Sequence, residues 1–86
     1  MKAYKANVTV LAEQFLPPLL IPKGVFNVYE LAQGIFTGEI WTITDERITV
    51  RPHQWIVQEE NNPERYYAIS DKDFRRWFKA DYSGLG

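Results

Sequence analysis

The chain's single histidine, His53, lies in the stretch RITVRPHQWIVQEE, residues 47–60. An imidazole is the side chain best suited to moving protons near neutral pH, but acid–base or nucleophilic work also needs an orienting partner and a reacting group beside it. The chain has no second histidine, no cysteine and no Gly-x-Ser-x-Gly turn, so no triad-like arrangement can be assembled from sequence alone. One imidazole with scattered carboxylates also lacks metal-ligand spacing. The acid pairs Asp45-Glu46 and Glu59-Glu60 raise the carboxylate chemistry of glycoside cleavage. Neighbours on a strand point to opposite faces, however, and hairpin ends are where charge is normally solvated. The glycines are dispersed and form no phosphate cradle. These residues predict a non-enzymatic protein with no catalytic residue, cofactor or metal.

Binding chemistry has more to draw on. In KDFRRWFKADY, residues 72–82, basic and aromatic side chains interleave as they do on surfaces that stack and neutralise nucleic acid. The plainer reading makes Phe74, Trp77 and Phe78 one apolar stripe at i, i+3, i+4 that anchors a helix, leaving Lys72, Arg75, Arg76 and Lys79 on its other faces. Those four cations, with His53 and Gln54, are the candidate binding surface. A further apolar stretch, FLPPLLIP at 15–22, is expected to cover the core, with a dimer interface as its competing role.

The composition bounds what must position these groups. Eighty-six residues make a single domain with one core;. Hydrophobic residues make up 45 % and charged ones 24 %, the balance of a chain that folds rather than one that stays disordered. With a net charge of −1, no global positive field gathers polyanions, so any charge-driven recognition must be local. The absence of cysteine excludes disulfide frameworks and the common structural zinc sites. No apolar run is long enough to span a bilayer, and the Met-Lys-Ala-Tyr start lacks a signal-like core;. A cytoplasmic protein with no membrane partner is the expectation.

Alternation and β-branched residues predict a strand over about 5–15, after which Pro17, Pro18 and Pro22 make an extended connector;. A short strand is expected at Val25–Tyr29, and Gly34 and Gly38 argue against a long helix. EIWTIT and RITV form a hairpin about Asp45-Glu46, and QWIVQEE and RYYAI a second one about residues 61–64;. Together these predict an antiparallel meander in which the strands on either side of Arg51–Gln54 meet at a corner. Ser70 caps a C-terminal helix, with Asp73 three residues on, and residues 80–86 read as a frayed tail. The fold class is α+β: five or six antiparallel strands, twisted or partly closed, with one C-terminal helix packed on them.

Three blocks, YKANVTVLAEQF, ITVRPHQWIVQ and ERYYAISDKDFRRWF, resemble the small phage and prophage proteins named for a Pro-Gly-Asp-Tyr-Gly signature. The matching positions are Tyr4, Gln14 and Phe15, then Val50, Pro52, Trp55, Ile56 and Val57, then Glu64, Tyr66 and Phe74. Where the signature has Gly-Asp this chain has His53-Gln54, so a turn that relied on glycine's positive φ would have to be rebuilt or shifted. The segment from Leu16 to Gly38 also departs, carrying prolines where relatives have a short helix. The resemblance implies a small phage-associated α+β protein and carries no reaction or catalytic residue. The reading is a non-enzymatic protein-binding modulator, acting on a host or defence complex. A nucleic-acid-binding accessory module and a structural homo-oligomer are the alternatives.

Overall fold

A computed structural model describes residues 1–5 and 8–80 of the chain, the last of these by its backbone only. Eight strands and one helix follow in order: β1 Lys2–Lys5, β2 Thr9–Gln14, β3 Phe26–Ala32, β4 Ile35–Trp41, β5 Arg47–Val50, β6 Trp55–Glu59, β7 Asn62–Ile69, α1 Asp71–Trp77 and β8 Lys79–Ala80. All strand pairs are antiparallel. They form two sheets, a larger one ordered β7-β6-β2-β1-β8 and a smaller one ordered β3-β4-β5. The α+β class and the C-terminal helix stand. The single meander does not: β5 and β6 are consecutive in the chain but belong to different sheets.

Strand β6 explains the layering. Its first three residues, Trp55, Ile56 and Val57, are all buried, where a strand with one wet face would alternate. Ile56 packs with Phe15, Ile40, Val50 and Tyr66 against the small sheet. Trp55 and Val57 pack with Ala12 and Phe74 on the opposite face, beneath the helix. The large sheet is therefore the middle layer, with three strands on one side and α1 on the other. Gly38 makes close approach possible at the first interface, because a Cβ there would lie 2.7 Å from Val25 and 3.3 Å from Phe15.

The chain leaves the large sheet after β2 and returns at β6, so the small sheet is built wholly from the intervening segment. The two crossings touch: the Phe15 amide donates to the Gln54 carbonyl at 2.8 Å, and the His53 amide to the Phe15 carbonyl at 2.7 Å.

Local corrections have physical reasons. The strand expected over 5–15 is present as β2, and a further strand, β1, pairs with it from Lys2↔Ala12 to Lys5↔Thr9; nothing in local propensity marks such a partner. The β4–β5 turn spans Thr42–Glu46 rather than two residues, closed by the Thr42 amide on the Glu46 carbonyl at 2.8 Å with Asp45 at φ 61°, a conformation that Asp tolerates. The second hairpin turns at Glu60-Asn61, and β7 already begins at Asn62. Pro63 is admissible in β7 because that strand is a sheet edge;.

The proline segment folds into a small turn, with Leu16 and Leu20 exchanging both backbone hydrogen bonds at 2.9 Å about a cis Pro17–Pro18 bond. Phe15 and Pro22 are buried, as a core cover requires, but Leu19 is 96 % exposed and Leu20 and Ile21 are also open. The helix starts as expected, the Ser70 Oγ accepting from the Asp73 amide. Its stripe is corrected: Phe74 is buried and Phe78 packs against it, but Trp77 is 55 % exposed. The helix ends at Trp77 and Phe78 is already extended, so the ring that follows Phe74 inward is the one four residues on. Ala80 pairs with Tyr4 in β8, so the expected tail does not begin there; its remainder, 81–86, lies outside the described residues.

Candidate binding surface

The corner at Arg51–Gln54 is fixed from within. The Gln54 side-chain oxygen accepts the Arg51 amide at 2.7 Å, and the Gln54 amide donates to the Arg51 carbonyl at 3.2 Å. Gln54, expected on the binding surface, is thus spent in closing the turn. His53 is exposed and sits at φ 75°, in the left-handed region that glycine adopts freely and a histidine adopts at some cost. The histidine takes the positive φ itself. Its carbonyl accepts from the Gln14 Nε2 at 3.0 Å.

Gln14 leads to a polar hub that sequence reading missed. One carboxylate oxygen of Asp71, Oδ1, accepts from the Trp55 Nε1 at 2.9 Å, the Gln14 Nε2 at 3.2 Å and the Arg75 Nε at 2.8 Å. The Trp55 hydrogen bond chiefly holds the Asp71 carboxyl below its ordinary value; partial desolvation opposes it, and Arg75 and His53 add to the lowering. The hub joins β2, β6 and the first turn of α1. Asp71 beside the Ser70 cap was a visible acid in a helix first turn, but no local signal pairs it with an indole sixteen residues earlier.

Of the four expected cations, Lys72, Arg75 and Arg76 stay on the helix and Lys79 does not. Arg75 is ion-paired to Asp71 at 2.8 Å. Lys79 has left the helix for β8, where it stands opposite Lys5. Tyr4 packs on the helix side of the sheet, so alternation turns Lys5 and Lys79 to the other face. Lys72 and Arg76 remain exposed on the helix, alongside Trp77. His53 and Gln54 join the hub through its backbone and Gln14, not through a shared cationic surface.

An exposed apolar surface lies elsewhere, on the outer face of the small sheet. Alternation places Ile35, Thr37, Glu39 and Trp41 of β4 outward, against Tyr29 and Phe26 of β3 and Thr49 and Arg47 of β5;. Tyr29, Leu31, Ile35 and Trp41 are exposed, and Phe26 stacks on Trp41 at 6.1 Å. The Glu39 carboxylate pairs with Arg47 at 3.0 Å and accepts from the Asn27 Nδ2 at 2.9 Å. Toward the β3–β4 turn, Leu31, Ile35, Phe36, Thr49, Arg51 and Pro52 line a groove of about 280 Å³. Sequence offered a faint sign of this face: a strand pair with one covered side should carry polar residues on the other, and YELAQGIF does not;.

No group of three or more metal-ligating side chains occurs among the described residues, and no helix among them is long and apolar enough to cross a membrane. The fold and surface together define a small two-sheet domain with an apolar outer sheet face. Comparison with protein families, with curated proteins and with solved structures found no match to this chain.

Proposed function

We propose that the chain is a non-enzymatic binding module for a protein partner, and that the outer face of the small sheet is its contact surface. The observation that carries this reading is the composition of that face: Tyr29, Leu31, Ile35 and Trp41 are open to solvent on a sheet whose other side already completes a core. Exposed apolar surface of this kind is characteristic of interaction sites, and aromatic residues are enriched in them. The resemblance to small phage proteins supports placing it in a host cytoplasm, acting on a host or defence complex.

The test is affinity capture from a bacterial lysate with the native chain and with a Tyr29→Thr, Trp41→Thr double variant. β-branched replacements suit the strand, and unfolding curves check that the variant folds. A partner held by the native chain and lost from the folded variant is the expected result; retention of every captured protein by the variant would overturn this surface assignment.

A second reading rests on one observation. Trp77 is exposed next to Arg76 on the helix, which is what an aromatic that stacks on nucleobases requires. The pairing of Arg75 with Asp71 and the departure of Lys79 from the helix weigh against it, since phosphate binding gains from clustered free charge.

A further inference from the structure

The described residues include five arginines, at positions 47, 51, 65, 75 and 76. Arg47 pairs with Glu39, Arg65 with Asp45 and Arg75 with Asp71. Arg51 and Arg76 have no acidic partner among the described residues, and Arg51 lines a groove. Its other walls are Leu31, Ile35, Phe36 and Pro52, with Thr37 and Thr49. An unpaired guanidinium beside apolar walls is matched by a carboxylate next to a large apolar group, because Arg presents a planar fork fitted to two carboxylate oxygens.

The neighbouring strand edge adds a second recognition element. β5 is an edge of the small sheet. The Thr42 amide on the Glu46 carbonyl marks that pair as hydrogen-bonded, and in an antiparallel ladder such pairs alternate with non-bonded ones. Counting along the register, Ile48 and Val50 direct their backbone groups to β4, and Thr49 directs its amide and carbonyl outward. Thr49 also lines the groove. An extended peptide segment lying in the groove can use that free amide and carbonyl as hydrogen-bond partners.

We infer that the groove between the β3–β4 turn and the Arg51–Gln54 corner takes an extended peptide segment bearing a carboxylate beside a large aliphatic or aromatic residue, the carboxylate on Arg51 and the apolar group against Leu31 and Ile35. This rests on the protein-binding reading and narrows it to one partner chemistry.

The probes are fluorescein-labelled hexapeptides with a central Leu-Asp, Leu-Glu, Phe-Asp or Phe-Glu pair in a Ser/Thr frame, compared with the same peptides carrying Asn or Gln for the acid. Anisotropy gives affinity, and amide shifts in ¹⁵N-labelled protein give location. Acidic peptides should bind at least tenfold more tightly than their amide counterparts and shift Leu31, Ile35, Thr49 and Arg51. Arg51→Gln should remove that preference and Arg51→Lys should restore part of it. Equal binding of acid and amide peptides, shifts confined to other residues, no binding by any peptide, or an unaffected Arg51→Gln protein would each overturn the inference. If these peptides fail while a lysate partner still depends on Tyr29 and Trp41, the groove assignment falls and the protein-binding reading survives; if both fail, both fall.

Discussion

Trp55 lies flat against Phe74, their ring centroids 4.0 Å apart and their planes 6° from parallel, while the same indole's N–H reaches the Asp71 carboxylate. One side chain thereby fixes the short helix twice, by an apolar face and by a polar edge, as buried tryptophan generally requires. A seven-residue helix is too short to persist on its own propensity. Its position depends on this contact and on Tyr4 and Phe78, whose rings each lie 4.9 Å from Phe74.

Replacing Phe74 by alanine should therefore cost about 3–5 kcal/mol, the range for emptying a buried aromatic site. Replacing Trp77 by alanine, at an exposed position, should change stability by no more than about 0.5 kcal/mol. Urea unfolding of the two variants measures both. Comparable losses would mean that the two rings share the core, contrary to the packing described.

The Asp71 hub should register in acid. Its folded-state carboxyl lies below the ordinary value of 3.8, so the stabilisation is fully present above that value and is lost as pH falls through the lowered one. Thermal unfolding between pH 7 and pH 2 should show native protein losing stability below about pH 4, and Asp71→Asn flattening part of that loss. An identical acid profile in the variant would detach Asp71 from it.

At the corner, His53→Gly should fold normally, with stability within about 1 kcal/mol of native, because relief of the left-handed backbone is offset by glycine's greater freedom in the unfolded chain. His53→Val should lose about 1–2 kcal/mol, since a β-branched residue is poorly accommodated at φ 75°;. If His53→Gly retains full partner capture, the imidazole is scaffold; if capture drops while folding is kept, it belongs to the contact surface.

Under the protein-binding reading, single-stranded DNA should give no gel shift even at low ionic strength, where phosphate contacts are strongest. A shift that is lost in a Trp77→Ala, Arg76→Ala double variant would instead make the helix a nucleic-acid surface.

What was legible in the chain follows from which forces are local. The β-branched and aromatic runs of β4 to β7 and the Ser70 cap act over a few residues, and each element appears near its expected place. Period-2 alternation says which residues share a face but not which sheet supplies the neighbour, so the assignment of β5 and β6 to different layers was hidden. The three buried residues opening β6 were a usable clue that both of its faces are covered. Lys79 shows the opposite limit: helical spacing grouped it with Arg75 and Arg76, but pairing with β1 drew the chain into a strand at that point. Leu19, Leu20 and Ile21 show that apolar character alone does not tell cover from projection.

The hydrogen bonds between Phe15 and the His53-Gln54 corner bring the departure and return points of the small sheet side by side. Residues 16–52 are thus one continuous insertion whose two ends meet, held to the five-stranded base both at that junction and through the core the two sheets share. A different segment grafted between those ends would have to reproduce the inward groups supplied by Val25, Ile40 and Val50.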